Sequence, residues 1–83
     1  MLNTPNMKSK MVTVDLREHI RDGRDPFSRI MQAVGALQAE ENLRLITPFE
    51  PLPLYGVLAS QGFTHSSRSM ESGDWEVTFS RAA

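Results

Sequence analysis

The sequence predicts a two-layer α/β sandwich of order β-α-β-α-β-β, with a four-stranded mixed sheet and two helices on one face. Three observations carry this. A strand, a polar loop and an acid-Pro helix start occur twice: Val12–Leu16 leads to Asp25-Pro26-Phe27, and Leu43–Ile46 leads to Glu50-Pro51-Leu52-Pro53. Each candidate strand has one apolar and one polar face, as a sheet covered on one side requires. The chain then closes on Trp75, Val77 and Phe79 behind Ser72-Gly73-Asp74, the signature of a terminal hairpin.

The first strand is expected over Met11–Arg17, with Val12, Val14 and Leu16 inward and Thr13, Asp15 and Arg17 outward. Arg17–Arg24 reads as a loop, longer than the usual connection in such a unit. The first helix starts at Asp25-Pro26, where aspartate caps and proline gives up an N–H that would be unpaired anyway. Its stripe is Phe27, Ile30, Met31, Val34 and Leu37. After the turn Glu40-Glu41-Asn42 comes a short second strand, Leu43–Ile46. The second helix begins between Glu50 and Pro53, since Pro53 fits only a first turn, buries Leu54, Val57 and Leu58, and ends at Gln61-Gly62. Phe63–Met70 is a weaker strand rich in Ser and Thr. Gly35 and Gly56 lie inside helical stretches and point to close helix–helix or helix–sheet contact. A strand-helix-strand unit favours parallel pairing and the terminal hairpin is antiparallel, so the sheet is mixed and its second face open.

Composition bounds the function. Eighty-three residues make one domain with one thin core, expected over 11–83 behind a flexible tail at 1–10. Apolar content of 40% and charged content of 23% are those of a globular domain. A net charge of −1 argues against nonspecific nucleic-acid binding. No apolar run has the length of a signal peptide or a membrane span, so a soluble protein of the bacterial cytoplasm is expected. With no cysteine there is no disulfide, thiolate metal site or persulfide on the chain.

Asp25-Pro26-Phe27-Ser28-Arg29-Ile30-Met31, Glu50-Pro51-Leu52-Pro53-Leu54-Tyr55 and Gly62-Phe63 resemble a bacterial domain family of unknown function related to the TusA/SirA-like sulfur carriers. The likeness covers about residues 11–81, and its most specific stretch is Glu50–Tyr55. It implies the TusA/SirA-like fold. The carriers hold a persulfide on the cysteine of a Cys-Pro-X-Pro motif at the first helix. The corresponding segment here is Gly23-Arg24-Asp25-Pro26, with glycine at the cysteine position and only the last proline kept. The resemblance therefore implies the fold without the carrier chemistry.

The candidate binding residues are Arg17, His19, Arg21, Arg24, Asp25 and Phe49. The three arginines precede a helix N-terminus, where guanidinium groups and the dipole suit a small anion. Interleaved Glu18, Asp22 and Asp25 instead suit a solvated loop with local ion pairs. His19 and His65 stand in no metal-binding spacing, so no metal or other cofactor is expected. Ser60, Ser66, Ser67 and Ser69 have no recognisable His and acid partners. Trp75 is expected in the core, whereas Phe49, between two prolines, marks a contact site. The reading is a non-enzymatic binding or adaptor domain, monomeric or weakly dimeric, with a protein partner. The alternative is a protein that binds a small anion, metal or cofactor in redox or sulfur metabolism, using His19.

Overall fold

The structure, a computed structural model, describes residues 10–81, so the tail expected at 1–10 lies outside it except for Lys10. Seven elements follow in order: β1 Lys10–Asp15, α1 Arg17–Arg21, α2 Pro26–Ala36, β2 Glu41–Thr47, α3 Leu52–Ala59, β3 Phe63–Ser69 and β4 Trp75–Arg81. The sheet has four strands in the order β1-β2-β4-β3. β1 and β2 run parallel, and β4 lies antiparallel to both β2 and β3. The mixed sheet is the one the element order implies. α2 bridges the parallel pair because such a pair cannot be joined by a tight turn.

Register explains why the layers assemble. Val14 stands opposite Leu45 and Leu45 opposite Val77, while Leu43 faces Phe79. These residues share one sheet face and one buried cluster with Ile30, Ala33, Val34 and Leu37 from α2 and just beyond it, and with Leu54 and Leu58 from α3. Both longer helices therefore cover the same face. The opposite face is polar: Thr13 faces Arg44 and Arg44 faces Thr78, while Glu76 stands between Ile46 and Arg68. Arg44 and Arg68 both form ion pairs with Glu76. Burial of the apolar side drives assembly at about 25 cal/mol per Å², and nothing on the polar side requires cover.

Four details differ from the sequence reading. The first strand ends at Asp15, and Arg17–Arg21 forms a short helix where a loop is expected. It has no side-chain cap, and Ile20 packs against the core; packing rather than propensity holds so short a helix. The second strand is longer than its apolar run, Glu41–Thr47, because pairing on both sides carries the polar ends into the ladder. Gly35 and Gly56 face open space: beyond its own helix backbone and chain neighbours, a Cβ at either would meet no atom within 4 Å. Close contact is therefore not why they are glycine. Trp75 is half-buried at the sheet's end and lies outside the core cluster. No helix among the described residues is long and apolar enough to cross a membrane.

Candidate functional site

Because β1 and β2 are parallel, their carboxyl ends emerge at the same end of the molecule, and α1 and the N-termini of α2 and α3 begin there. The β3–β4 turn closes on the same end, since Trp75 pairs with both Thr47 and Ser69. In open α/β sheets this end is where ligands bind. Two recesses here flank the helix starts.

The first is shallow and charged, lined by Asp15, Arg17, Glu18, Ile20, Arg21, Pro48 and Asp74. Arg17 is its centre. Its Nη2 donates to Asp15 Oδ2 at 2.6 Å and its Nη1 to Asp74 Oδ2 at 2.9 Å. Asp74 also accepts from the Ser72 hydroxyl. The Arg17 hydrogen bonds hold the Asp15 and Asp74 carboxyls below the usual range and push the guanidinium up. Arg17 thus ties the end of β1 to the distant hairpin turn, with both of its terminal nitrogens engaged.

The other loop residues are also engaged locally. Arg24 pairs with Asp22 at 3.3 Å. His19 Nε2 lies 3.2 Å from the Asp25 carbonyl. Asp25 caps α2, accepting from the Phe27 N–H and from the Ser28 hydroxyl, each at 3.0 Å. A carboxylate therefore already occupies the N-terminus of α2. At α3 the Leu52 and Leu54 N–H groups bond back to the Glu50 and Pro51 carbonyls, and Pro51 and Pro53 have no N–H to offer. Arg21 is exposed and lines the charged recess. Among the described residues, no three His, Cys, Asp or Glu side chains stand together as a metal would need.

The second recess is different in kind. It has a volume of about 160 Å³, shows no polar surface, and lies between Leu16, Ile30 and Leu54 at its floor and Pro26, Phe27, Phe49, Pro51 and Pro53 around it. Thr47 also lines it, 1% exposed, but its hydroxyl donates to the Phe49 carbonyl at 2.6 Å, so only carbon faces the pocket. Phe27 is 46% exposed and Phe49 50%, and Leu52, the first residue of α3, is 61% exposed. Proline-bearing turns start both helices at the pocket's edge, Pro26 at α2 and Pro51 and Pro53 at α3.

Of the six residues singled out in the sequence, the structure brings Arg17 and Arg21 to the charged recess and Phe49 to the apolar one. His19 lies within α1, and Arg24 and Asp25 follow it in the α1–α2 turn; His19 bonds to the Asp25 carbonyl and Arg24 to Asp22. Sequence reasoning missed Phe27, which it assigned to the buried stripe. The signal was present: an aromatic beside the acid-Pro start of each helix, Phe27 after Asp25-Pro26 and Phe49 before Glu50-Pro51. It also missed the stack of His65 on Tyr55, ring centroids 3.8 Å apart and 8° from parallel. Tyr55 donates its hydroxyl to Glu50 Oε2 at 3.1 Å; burial is the main cause of its raised pKa. This bond links α3 to Glu50, which stands between the pocket-lining Phe49 and Pro51.

A family model described as an uncharacterized conserved protein, DUF2249, matches residues 13–81, from within β1 to the end of β4. No curated protein and no solved structure matches the chain.

Proposed function

The chain belongs to the DUF2249 family, and from that premise we propose that it is a non-enzymatic binding or adaptor domain whose apolar pocket receives a side chain of a partner protein. The observation that carries this reading is the pocket with its two half-exposed phenylalanines. A soluble domain seldom leaves large apolar side chains together around an apolar hollow unless something docks there. Aromatic anchors in well-packed pockets dominate most protein interfaces. The volume suits one ring or one branched aliphatic group, since a cavity of about 150 Å³ accepts benzene.

The small-anion alternative has less support. Arg17 is neutralised by two carboxylates, Arg24 by one, and Asp25 lies where the anion would sit. The sulfur-carrier relationship belongs to the same proposal. It is supported by the two helices on one face of the sheet and by acid-Pro turns at both helix starts. At the position of the carrier cysteine, Gly23 has φ +76°, a backbone that an L-cysteine adopts only under strain. The domain would then have kept the carrier's shape for recognition and lost its group-transfer chemistry, acting in the bacterial cytoplasm.

The test has two arms. Benzene titrated into ¹⁵N-labelled protein should shift the amides of Ile30, Thr47 and Leu54 and leave β3 unmoved. A photo-crosslinking residue at Leu52, expressed in the native host, should trap a protein, and the adduct should vanish when Phe27 and Phe49 are both changed to alanine. Unmoved amides, together with no adduct or one indifferent to those changes, would remove the pocket as the binding site.

A further inference from the structure

The free edge of β3 carries an inference independent of the pocket. β3 is the outermost strand beside β4, seven residues long, and six of the seven are exposed. Its pairing with β4 runs one-to-one from Phe63–Arg81 to Ser69–Trp75, without a bulge. Soluble proteins protect such edges with proline, lysine, a bulge or a covering element. β3 has neither proline nor lysine, its single charge, Arg68, is committed to Glu76, and among the described residues no strand pairs with its outer side.

The ladder tells which groups are free. At the hairpin mouth the Met70 N–H bonds to the Asp74 carbonyl at 2.7 Å. Direction alternates along an antiparallel strand, so Thr64, Ser66 and Arg68 aim their main-chain groups at β4. Phe63, His65, Ser67 and Ser69 aim theirs outward.

We propose that a second copy of this chain pairs here, β3 against β3 in antiparallel register about a two-fold axis at Ser66, making one continuous sheet across the dimer. This register uses the whole strand. It sets Phe63 opposite Ser69 of the other copy and His65 opposite Ser67, which are the outward-facing residues and so exchange the hydrogen bonds. On the polar face it sets Thr64 opposite Arg68, and Ser66 opposite its own copy. No like charges meet, and the Ser and Thr pairs are of the kind that stabilise strand contacts. The contact is isologous and closes on itself, as most soluble dimers do. The other edge fits such pairing less well: β1 begins with Lys10, and Asp15 at its end is held by Arg17.

The register makes the test sharp. Ser66 forms a non-hydrogen-bonded pair with itself, the closest side-chain approach in the ladder. The wild-type chain should show a mass rising toward that of two chains across a concentration series in light scattering or sedimentation. Ser66→Lys and Ser66→Glu should each stay at the mass of one chain. Mixed in equal amounts they should return to two, and native mass spectrometry should show mainly the one-to-one species. Ser67→Pro removes an outward N–H without adding charge and should also give a single chain, which guards against a folding defect in either charged variant. Protection of the His65 and Ser67 amides against hydrogen exchange should appear in the wild type and be lost in Ser66→Lys. A wild-type chain that stays single throughout, or two-chain mass that persists in Ser66→Lys, overturns the proposal. Phe27 and Phe49 variants should leave the dimer unchanged, so failure of the pocket reading and failure of this one are distinguishable.

Discussion

Gly35 and Gly56 are exposed helical positions with open space where a Cβ would stand. The sequence suggested that something packs against them; the structure leaves them with only the entropic cost of glycine in a helix, near 1 kcal/mol each relative to alanine. Gly35→Ala and Gly56→Ala should therefore each stabilise the domain by roughly 1 kcal/mol, a rise of about 4–8 °C in midpoint for a domain this small. Thermal unfolding followed by circular dichroism checks it, and a fall in either variant would mean that the open space is filled in solution. Gly62→Ala should move the other way, because its φ of +90° closes the end of α3 in a conformation that glycine alone takes freely. Glycine's role at Gly62 was legible in the sequence because the helix pattern stops there. At the other two it was not, because a pattern of one chain cannot show empty space.

Between elements, the longest-range polar tie at the pocket end is Arg17 to Asp74, spanning 57 positions of sequence. It joins the end of β1 to the β3–β4 turn, and with Asp15 it places two carboxylates on one guanidinium. Both carboxyls titrate below their ordinary value in the folded state. As pH falls, the unfolded chain takes up these protons first, so the contribution is present above the usual carboxylate pKa and is lost on acidification through the lower folded values. Arg17→Ala should flatten the acid limb of the stability profile and change neutral stability modestly, because the pairs are open to solvent. Denaturant midpoints measured from neutral to strongly acidic pH read this directly; an acid limb as steep as the wild type's would show the tie to be inert. The sequence had offered Arg17 as an anion ligand. Its partner at position 74 was hidden because pairing across a fold depends on strand order, and order β1-β2-β4-β3 is not written in the spacing of one strand. α1 was hidden for a related reason: five residues without a side-chain cap are helical only because Ile20 has a core to rest on.

At the scale of the whole molecule, the repeated strand and acid-Pro helix start made the sandwich readable, because alternation and proline placement are local. The pocket was not readable, because it needs Leu16, Ile30, Thr47 and Leu54 from four separate segments. Only its rim showed, as an aromatic beside each acid-Pro start. The pocket floor, Leu16, Ile30 and Leu54, also belongs to the core, so the proposed recognition separates from the fold only at the rim aromatics. Leu58, fully buried beneath α3, supports the core: Leu58→Ala should cost about 2–5 kcal/mol through lost burial and the cavity left behind. Phe27 and Phe49 stand half in water, and alanine at either should cost about 1 kcal/mol, well below the Leu58→Ala loss, because only part of each ring is buried. Their loss should nonetheless weaken benzene uptake and remove the crosslinked partner. Denaturant unfolding and the benzene titration, run on the same three variants, decide the point. If Phe27→Ala and Phe49→Ala unfold as readily as Leu58→Ala, the aromatics are part of the core and the pocket is a packing defect. If they stay well above Leu58→Ala in stability and lose binding, the end of the sheet where both helices begin is a surface kept for a partner.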